Sequence, residues 1–274
     1  MRLDDGVTDT LTWAVVLPVK VLSAAKSRLA AVSPAASELA FAFCQDTLDA
    51  ALASPLVAEV VVVTSDERVS ALASARGCAV VSDADHPGIN AAARQGAAQR
   101  GGPGGVAIVV SDLPALTSVA LTSVLATASQ YPVSFLADAD GTGTTMWFAS
   151  AGAAIDPRFG LASRNAHNDS GAVDLVAVHP GMSGGWAPAR RDVDTDSALA
   201  DAIAIGVGTC TTAALAPVVE QLVTVLARRG DRVDIVDEDG HRSEVAWAPM
   251  EPASLRDLHP GQRIVLTGDG IRLP

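Results

Sequence analysis

Cysteine is scarce in this chain of 274 residues, with only Cys44, Cys78 and Cys210. They lie far apart and show no metal-ligand spacing, and an odd count excludes a fully paired disulfide framework. Cys44 sits in an apolar helical stretch and reads as a small core residue. Met1 to Thr10 is acidic and polar, with no apolar leader, so the thiols are expected to be reduced and the protein cytoplasmic. Aromatic residues make up 4% of the chain. Alanine, valine and glycine are abundant instead, which suits closely packed helices on a β-branched sheet. Positive charge is also short: 19 Lys and Arg against 31 Asp and Glu give a net charge of −12. That balance argues against general binding to nucleic acid or to an anionic membrane, because both need a positive field. It leaves room for one local basic pocket. No apolar run approaches membrane-spanning length. There is no phosphate loop ending in Gly-Lys-Ser/Thr. Nor does a Gly-x-Gly-x-x-Gly turn follow the first strand, which argues against a nicotinamide-dependent dehydrogenase.

What is present is an alternation of strands and helices. The periodicity predicts strands at 13–17, 59–64, 78–82, 107–110, 133–138 and 146–149. Helices are predicted at 36–53, 67–76, 90–100, 117–129 and 197–205. Gly77 and Gly206 are expected to end two of them. Alternation of this kind is the signature of a largely parallel sheet with helices on both faces. Residues 157–174 read as a long irregular stretch. His167 within it has no paired acid or nucleophile at a known spacing, so a structural role is favoured for it. From about residue 218 the pattern changes to short strands with a hairpin turn at Asp237 to Gly240. The expected organisation is one large domain over 12–217 and a small all-β extension over 218–274.

Open α/β sheets place their chemistry at the carboxyl ends of the strands. Four stretches stand out on that basis. Ala107-Ile-Val-Val-Ser-Asp-Leu-Pro114 is a buried strand ending in Asp112, which reads either as a metal ligand or as the cap of the next helix. Leu17-Pro-Val-Lys…Ala-Lys-Ser-Arg-Leu29 follows the first strand and gathers Lys20, Lys26 and Arg28, cations suited to a triphosphate. Asp138-Ala-Asp-Gly-Thr-Gly-Thr-Thr145 is expected to offer backbone N–H groups and hydroxyls to a phosphate or carboxylate. Arg191-Asp-Val-Asp-Thr195 supplies a second acidic cluster, Asp192 and Asp194, which reads either as a partner for Asp112 or as an acidic helix start. Asn90, at the start of a helix, is either its cap or a reader of a base or ribose edge.

These stretches, with Ile89-Asn-Ala-Ala, Pro157-Arg-Phe-Gly160 and Ser170-Gly-Ala-Val173, together resemble the guanylyltransferases of coenzyme F-420 biosynthesis, within the MobA-like nucleotidyltransferases. The resemblance spans about residues 12–212. It implies a three-layer α/β/α fold of the nucleotide-diphospho-sugar-transferase type, Rossmann-like, with a mixed, mostly parallel sheet. It implies transfer of GMP from GTP to phosphoenolpyruvate or 2-phospho-L-lactate, with release of diphosphate. A related activity on 3-phosphoglycerate is open, and so is a homodimer. By the same resemblance, Asp112 and Asp192 hold Mg²⁺, with Asp194 as an additional ligand or its neighbour. Thr144, Gly160 and Ser163 contact the three-carbon phosphorylated acid. Lys20, Lys26 and Arg28 neutralise GTP phosphates, and Asn90 lies near the nucleoside. The family commonly has glycine where Ser111 stands. A second reading, from a different class, is an inactive nucleotide-binding regulatory subunit that acts through its β extension.

Overall fold

The computed structural model describes residues 12–22, 36–83, 88–215, 221–229, 232–246, 259–267 and 270–272. Lys26, Arg28 and the turn at 86–87 fall outside these residues. The chain divides into two compact units, Met1–Leu215 and Ala216–Pro274.

The first unit is built on a seven-stranded sheet. Its strands are β1 (Trp13–Pro18), β2 (Val57–Val63), β3 (Ala79–Val81), β4 (Gly105–Val109), β5 (Val133–Ala137), β6 (Thr144–Ala149) and β7 (Val173–Asp174). They lie in the order β3-β2-β1-β4-β6-β5-β7. Only β6 runs antiparallel to its neighbours β4 and β5. The remaining pairs are parallel. Every residue of β1, β4 and β6 is buried, as expected for strands covered on both faces.

Two layers of helices cover the sheet. On one face Val15, Leu17, Val62, Ala107 and Val109 pack with Cys44 and Leu48 of α1 (Ala36–Leu52) and with Leu121, Val124 and Leu125 of α4 (Ser118–Ala128). On the other, Val16, Val61, Val63 and Ile108 meet Ala92, Ala93 and Ala97 of α3 (Ile89–Ala98). The small side chains of α3 let it lie close to the strands. A Cβ at Gly96 would come within 2.5 Å of Val16 and 2.6 Å of Val63. Helix α2 (Glu67–Ala75) is capped by Asp66, whose carboxylate accepts from the N–H groups of Arg68 and Val69. Its chain turns at Gly77, as the periodicity predicts.

Residues 157–174 depart from expectation. They contain a seven-residue helix, α5 (Ser163–Asp169), and strand β7. The helix was hidden because it is short, mostly polar, and entered through Ala162 at φ 54°, the one non-glycine residue with positive φ among those described. Four short helices complete the unit: α6 (Leu175–Val178), α7 (Ala187–Arg190), α8 (Asp196–Ile205) and α9 (Thr209–Leu215).

The second unit is a five-stranded antiparallel sheet, in the order β10-β9-β8-β11-β12. Its strands are β8 (Gln221–Arg229), β9 (Arg232–Asp237), β10 (Arg242–Ala246), β11 (Arg263–Thr267) and β12 (Gly270–Arg272). Val223, Val225, Val233, Ile235 and Ile264 alternate inward along the strands. The hairpin between β9 and β10 is closed by the Asp237 carboxylate, which accepts from the N–H groups of Asp239 and His241.

Candidate active site at the carboxyl edge of the sheet

The strand order reverses at β1 and β4. The chain runs outward through β2 and β3 on one side and continues through β4, β6 and β5 on the other. Crevices at such a switch point, outside the carboxyl ends, are where open α/β sheets bind ligands. Lys20 follows β1 and is exposed there. Asp112 follows β4. Because β6 runs the other way, its first residues, Thr144 and Thr145, reach the same edge, and the N–H of Val110 donates to the Thr145 carbonyl at 3.0 Å. Asp138, at the end of β5, completes the row.

The turn that carries Asp112 is held from below by α1. The Thr47 hydroxyl, fully buried, accepts from the Leu113 N–H at 3.2 Å and lies 3.3 Å from the Ser111 carbonyl and 2.8 Å from the Phe43 carbonyl. The adjacent Asp46 carboxylate accepts from the N–H groups of Cys210 and Thr211, at 3.0 and 2.8 Å. The Gly208 N–H reaches the Pro114 carbonyl at 2.8 Å. Asp112 is not a helix cap, since α4 begins six residues later and is capped by Thr117.

The Arg191–Thr195 segment lies against this turn. The N–H of Val193 donates to the Asp112 carbonyl at 3.1 Å, and the Val193 side chain is fully buried. Asp192 and Asp194 flank it. Helix α8 starts only at Asp196, with Thr195 as its cap, so neither acid is part of a helix start. Carboxylate oxygens of Asp112, Asp192 and Asp194 all lie within 4.8 Å of one another. Asp112 and Asp192 are half-buried and Asp194 is exposed. Burial, and then the charge of Asp112, push the Asp192 carboxyl up to about 7, with further contributions from Asp194 and Asp138. Three hard oxygen donors crowded until one resists ionisation form a set that a divalent cation fits.

Arg190 ties this segment to the end of β5. It donates to the carbonyls of Ala137 at 3.0 Å and Asp138 at 2.7 Å, and its own carbonyl accepts from Ala139 at 2.8 Å. Burial and the nearby Arg164 lower its pKa. Neither Thr47 nor Arg190 carried a signal in the sequence. Each acts on backbone groups dozens of residues away.

The Gly-Thr-Gly run behaves differently from expectation. Its N–H groups at Thr142 and Gly143 are not open to a ligand. They donate to the two oxygens of Asp138, at 2.9 and 2.8 Å. The turn folds onto the carboxylate so closely that a Cβ at Gly143 would lie 2.4 Å from it. Hydroxyls are what remain for a ligand at this place, on the exposed residue Thr142 and the buried Thr144.

The Thr144 hydroxyl is 3.0 Å from Nδ1 of His167, on the helix that Ser163 opens, and the Ser163 N–H donates to the Gly160 carbonyl at 3.1 Å. Gly160, at φ 136°, follows Phe159 in the loop leading to that helix. Asn90 fixes this loop. Its amide donates to the Phe159 carbonyl at 2.9 Å and accepts from the Phe159 N–H at 2.7 Å. It is not the cap of α3, a position held by Gly88. Its carboxamide instead splints a loop 69 residues away.

A family model described as "Guanylyl transferase CofC like" matches residues 13–172. The chain belongs to this CofC-like guanylyl transferase family. Curated members include a protein named phosphoenolpyruvate guanylyltransferase from Salinispora arenicola, 43% identical over 203 residues, a match covering 73% of this chain and 91% of that protein. Another of the same name, from Streptomyces coelicolor, is 44% identical over 213 residues, covering 75% of this chain and 97% of the relative. Among solved structures, a nucleotidyl transferase from Methanothermobacter thermautotroptrophicus aligns with a TM-score of 0.48 at 18% identity, covering 69% of this chain and 94% of that one. As a CofC-like protein the chain is an enzyme, a nucleotidyltransferase of the guanylyl-transferring kind. Among the described residues no helix is long and apolar enough to cross a membrane.

Proposed function

We propose that this chain transfers GMP from GTP to the phosphate of phosphoenolpyruvate, releasing diphosphate, as a step in making coenzyme F-420. The observation that carries the reading is the triad of carboxylates, Asp112, Asp192 and Asp194, within 4.8 Å at the switch point of the sheet. The shared name of the curated relatives favours phosphoenolpyruvate over 2-phospho-L-lactate as the acceptor.

In this reading an oxygen of the acceptor's phosphate forms a bond to the α-phosphorus of GTP while the bond from that phosphorus to the bridging oxygen of diphosphate breaks. No covalent enzyme intermediate is needed, so the protein contributes positioning and charge neutralisation. Asp112 and Asp192 would hold Mg²⁺, with Asp194 as the third carboxylate. When bound, the ion offsets phosphate charge and draws the two substrates together. Lys20, with Lys26 and Arg28 close behind it in the sequence, neutralises the triphosphate. Thr144, Gly160 and Ser163 receive the acceptor. Asn90 serves by keeping the Phe159–Gly160 backbone in place.

The test is a diphosphate-release screen with Mg²⁺, in which GTP, ATP, CTP and UTP are each paired with phosphoenolpyruvate, 2-phospho-L-lactate and 3-phosphoglycerate. Release with GTP and phosphoenolpyruvate above all other pairs is the expected result. Release with no pair would overturn the proposal and favour a nucleotide-binding subunit.

A further inference from the structure

His167 is fully buried, yet it sits in the middle of the residues assigned to the acceptor. Its ring lies between Phe135 and Phe159, with centroid distances of 5.2 and 5.5 Å. Burial, and then the charge of Arg158, push its pKa down to about 4, so the ring is neutral at neutral pH. A neutral imidazole carries one proton, and the structure says on which nitrogen. The N–H of Arg158 lies 2.8 Å from Nε2. A backbone N–H can only donate, so Nε2 is the acceptor and Nδ1 carries the proton. Thr144 Oγ1, 3.0 Å from Nδ1, therefore accepts from the ring. Since Nδ1 is protonated, the threonine cannot give its own proton back. That proton has no acceptor among the described residues, although Thr144 is only 8% exposed.

We propose that His167 is a positioning residue for the acceptor substrate: by donating to Thr144 Oγ1 it turns the threonine's hydroxyl proton toward the site, where an anionic oxygen of the acceptor receives it. The inference rests on the reading in which Thr144 meets the three-carbon phosphorylated acid. The chain of donors begins at a main-chain N–H, passes through the imidazole and ends on the substrate. A neutral threonine is thereby made a committed donor, which an anion needs and which a freely rotating hydroxyl supplies only part of the time. The same ring holds the Arg158 N–H, so it also fixes the start of the segment containing Gly160.

Two substitutions separate this role from simple packing. His167→Asn keeps an N–H donor near the Nδ1 position and loses the acceptor for Arg158. His167→Gln keeps a polar group near Nε2 and loses the donor to Thr144. The Gln variant is expected to raise KM for phosphoenolpyruvate about tenfold with KM for GTP unchanged, the loss of one hydrogen bond to an anion. The Asn variant should stay within about threefold of the wild type, even if its thermal stability falls as far. Thr144→Val should match the Gln variant, and combining the two should add nothing. Equal KM effects of Asn and Gln, or an additive double variant, would overturn the proposal. Imidazole ¹⁵N shifts of the wild-type protein give a test that needs no variant to fold: protonated Nδ1 is expected, and protonated Nε2 overturns the inference. The two readings fail separately. Absence of wild-type turnover with every acceptor refutes the functional reading, whereas the wrong tautomer in an enzyme with intact turnover refutes this inference alone.

Discussion

Thr47→Val tests how the Asp112 turn is held. Valine matches threonine in shape, so the helix and its packing are kept and the hydroxyl alone is removed. The Leu113 N–H then loses its partner at a residue with no solvent exposure. Leaving a buried donor unpaired costs about 1–3 kcal/mol. The added methyl group returns up to about 1 kcal/mol through burial. A net loss of about 1–2 kcal/mol follows, which for a unit of this size lowers the melting temperature by roughly 2–8 °C. Thr47 does not touch substrate, but the turn it holds aims the Asp112 carboxylate. Half-saturating Mg²⁺ in the diphosphate-release assay should therefore rise about tenfold, as for other losses of a residue that orients a metal ligand. Thr47→Ser is the control. It keeps the hydroxyl and loses a methyl group, so it should cost about 1 kcal/mol in stability and leave the Mg²⁺ dependence unchanged. If valine left Mg²⁺ activation as in the wild type while serine disturbed it, the turn would be held by packing and the reasoning would fail.

Asp112→Asn and Asp192→Asn should each abolish Mg²⁺-dependent turnover while the circular dichroism spectrum stays native; near-normal diphosphate release from either would remove that residue from the metal site. His167 makes stability pH-dependent with a defined sign. Its folded pKa lies near 4, below the ordinary histidine value, so the unfolded chain takes up the proton first as pH falls. The contribution is fully present above about pH 6.5 and is lost progressively toward pH 4, by roughly 3 kcal/mol in all. Urea denaturation across that range should show the slope in the wild type and a shallower one in His167→Phe. Gly143→Ala should displace the Asp138 carboxylate and break its two backbone hydrogen bonds, costing about 2 kcal/mol or more in the same assay. An alanine variant as stable as the wild type would mean that the turn has room to relax.

Strands and their ends were readable because each is an apolar run that stops at a polar residue: Val109 before Ser111 and Asp112, Ala137 before Asp138. The acids at those ends were readable for the same reason. Apart from the meeting of Asp112 with Asp192 and Asp194, contacts between two distant stretches carry no local signal. Asn90 reads in the sequence as a cap or as a reader of a base or ribose edge; its partner, Phe159, is 69 positions away, and nothing in either stretch names the other. The Gly-Thr-Gly run looked open because its own residues offer donors. The acceptor that takes them, Asp138, stood beside it and was read as the end of a strand. Helix α5 escaped because a two-turn helix packed through His167 and Ser163 has no apolar period to detect.

The reversed strand β6 divides the labour of the edge it reaches. Strand ends and the loop before α8 bring the acids. The start of a strand brings the threonine and, through the next loop, the glycine and serine around His167. These two contributions belong to separate stretches of chain, joined through the sheet and by the Thr145 hydroxyl, which donates to the Ala189 carbonyl at 2.8 Å. In the proposed reading, substitutions confined to the hairpin and its following loop are expected to change the acceptor preference and to leave the metal dependence set by the acids as it is.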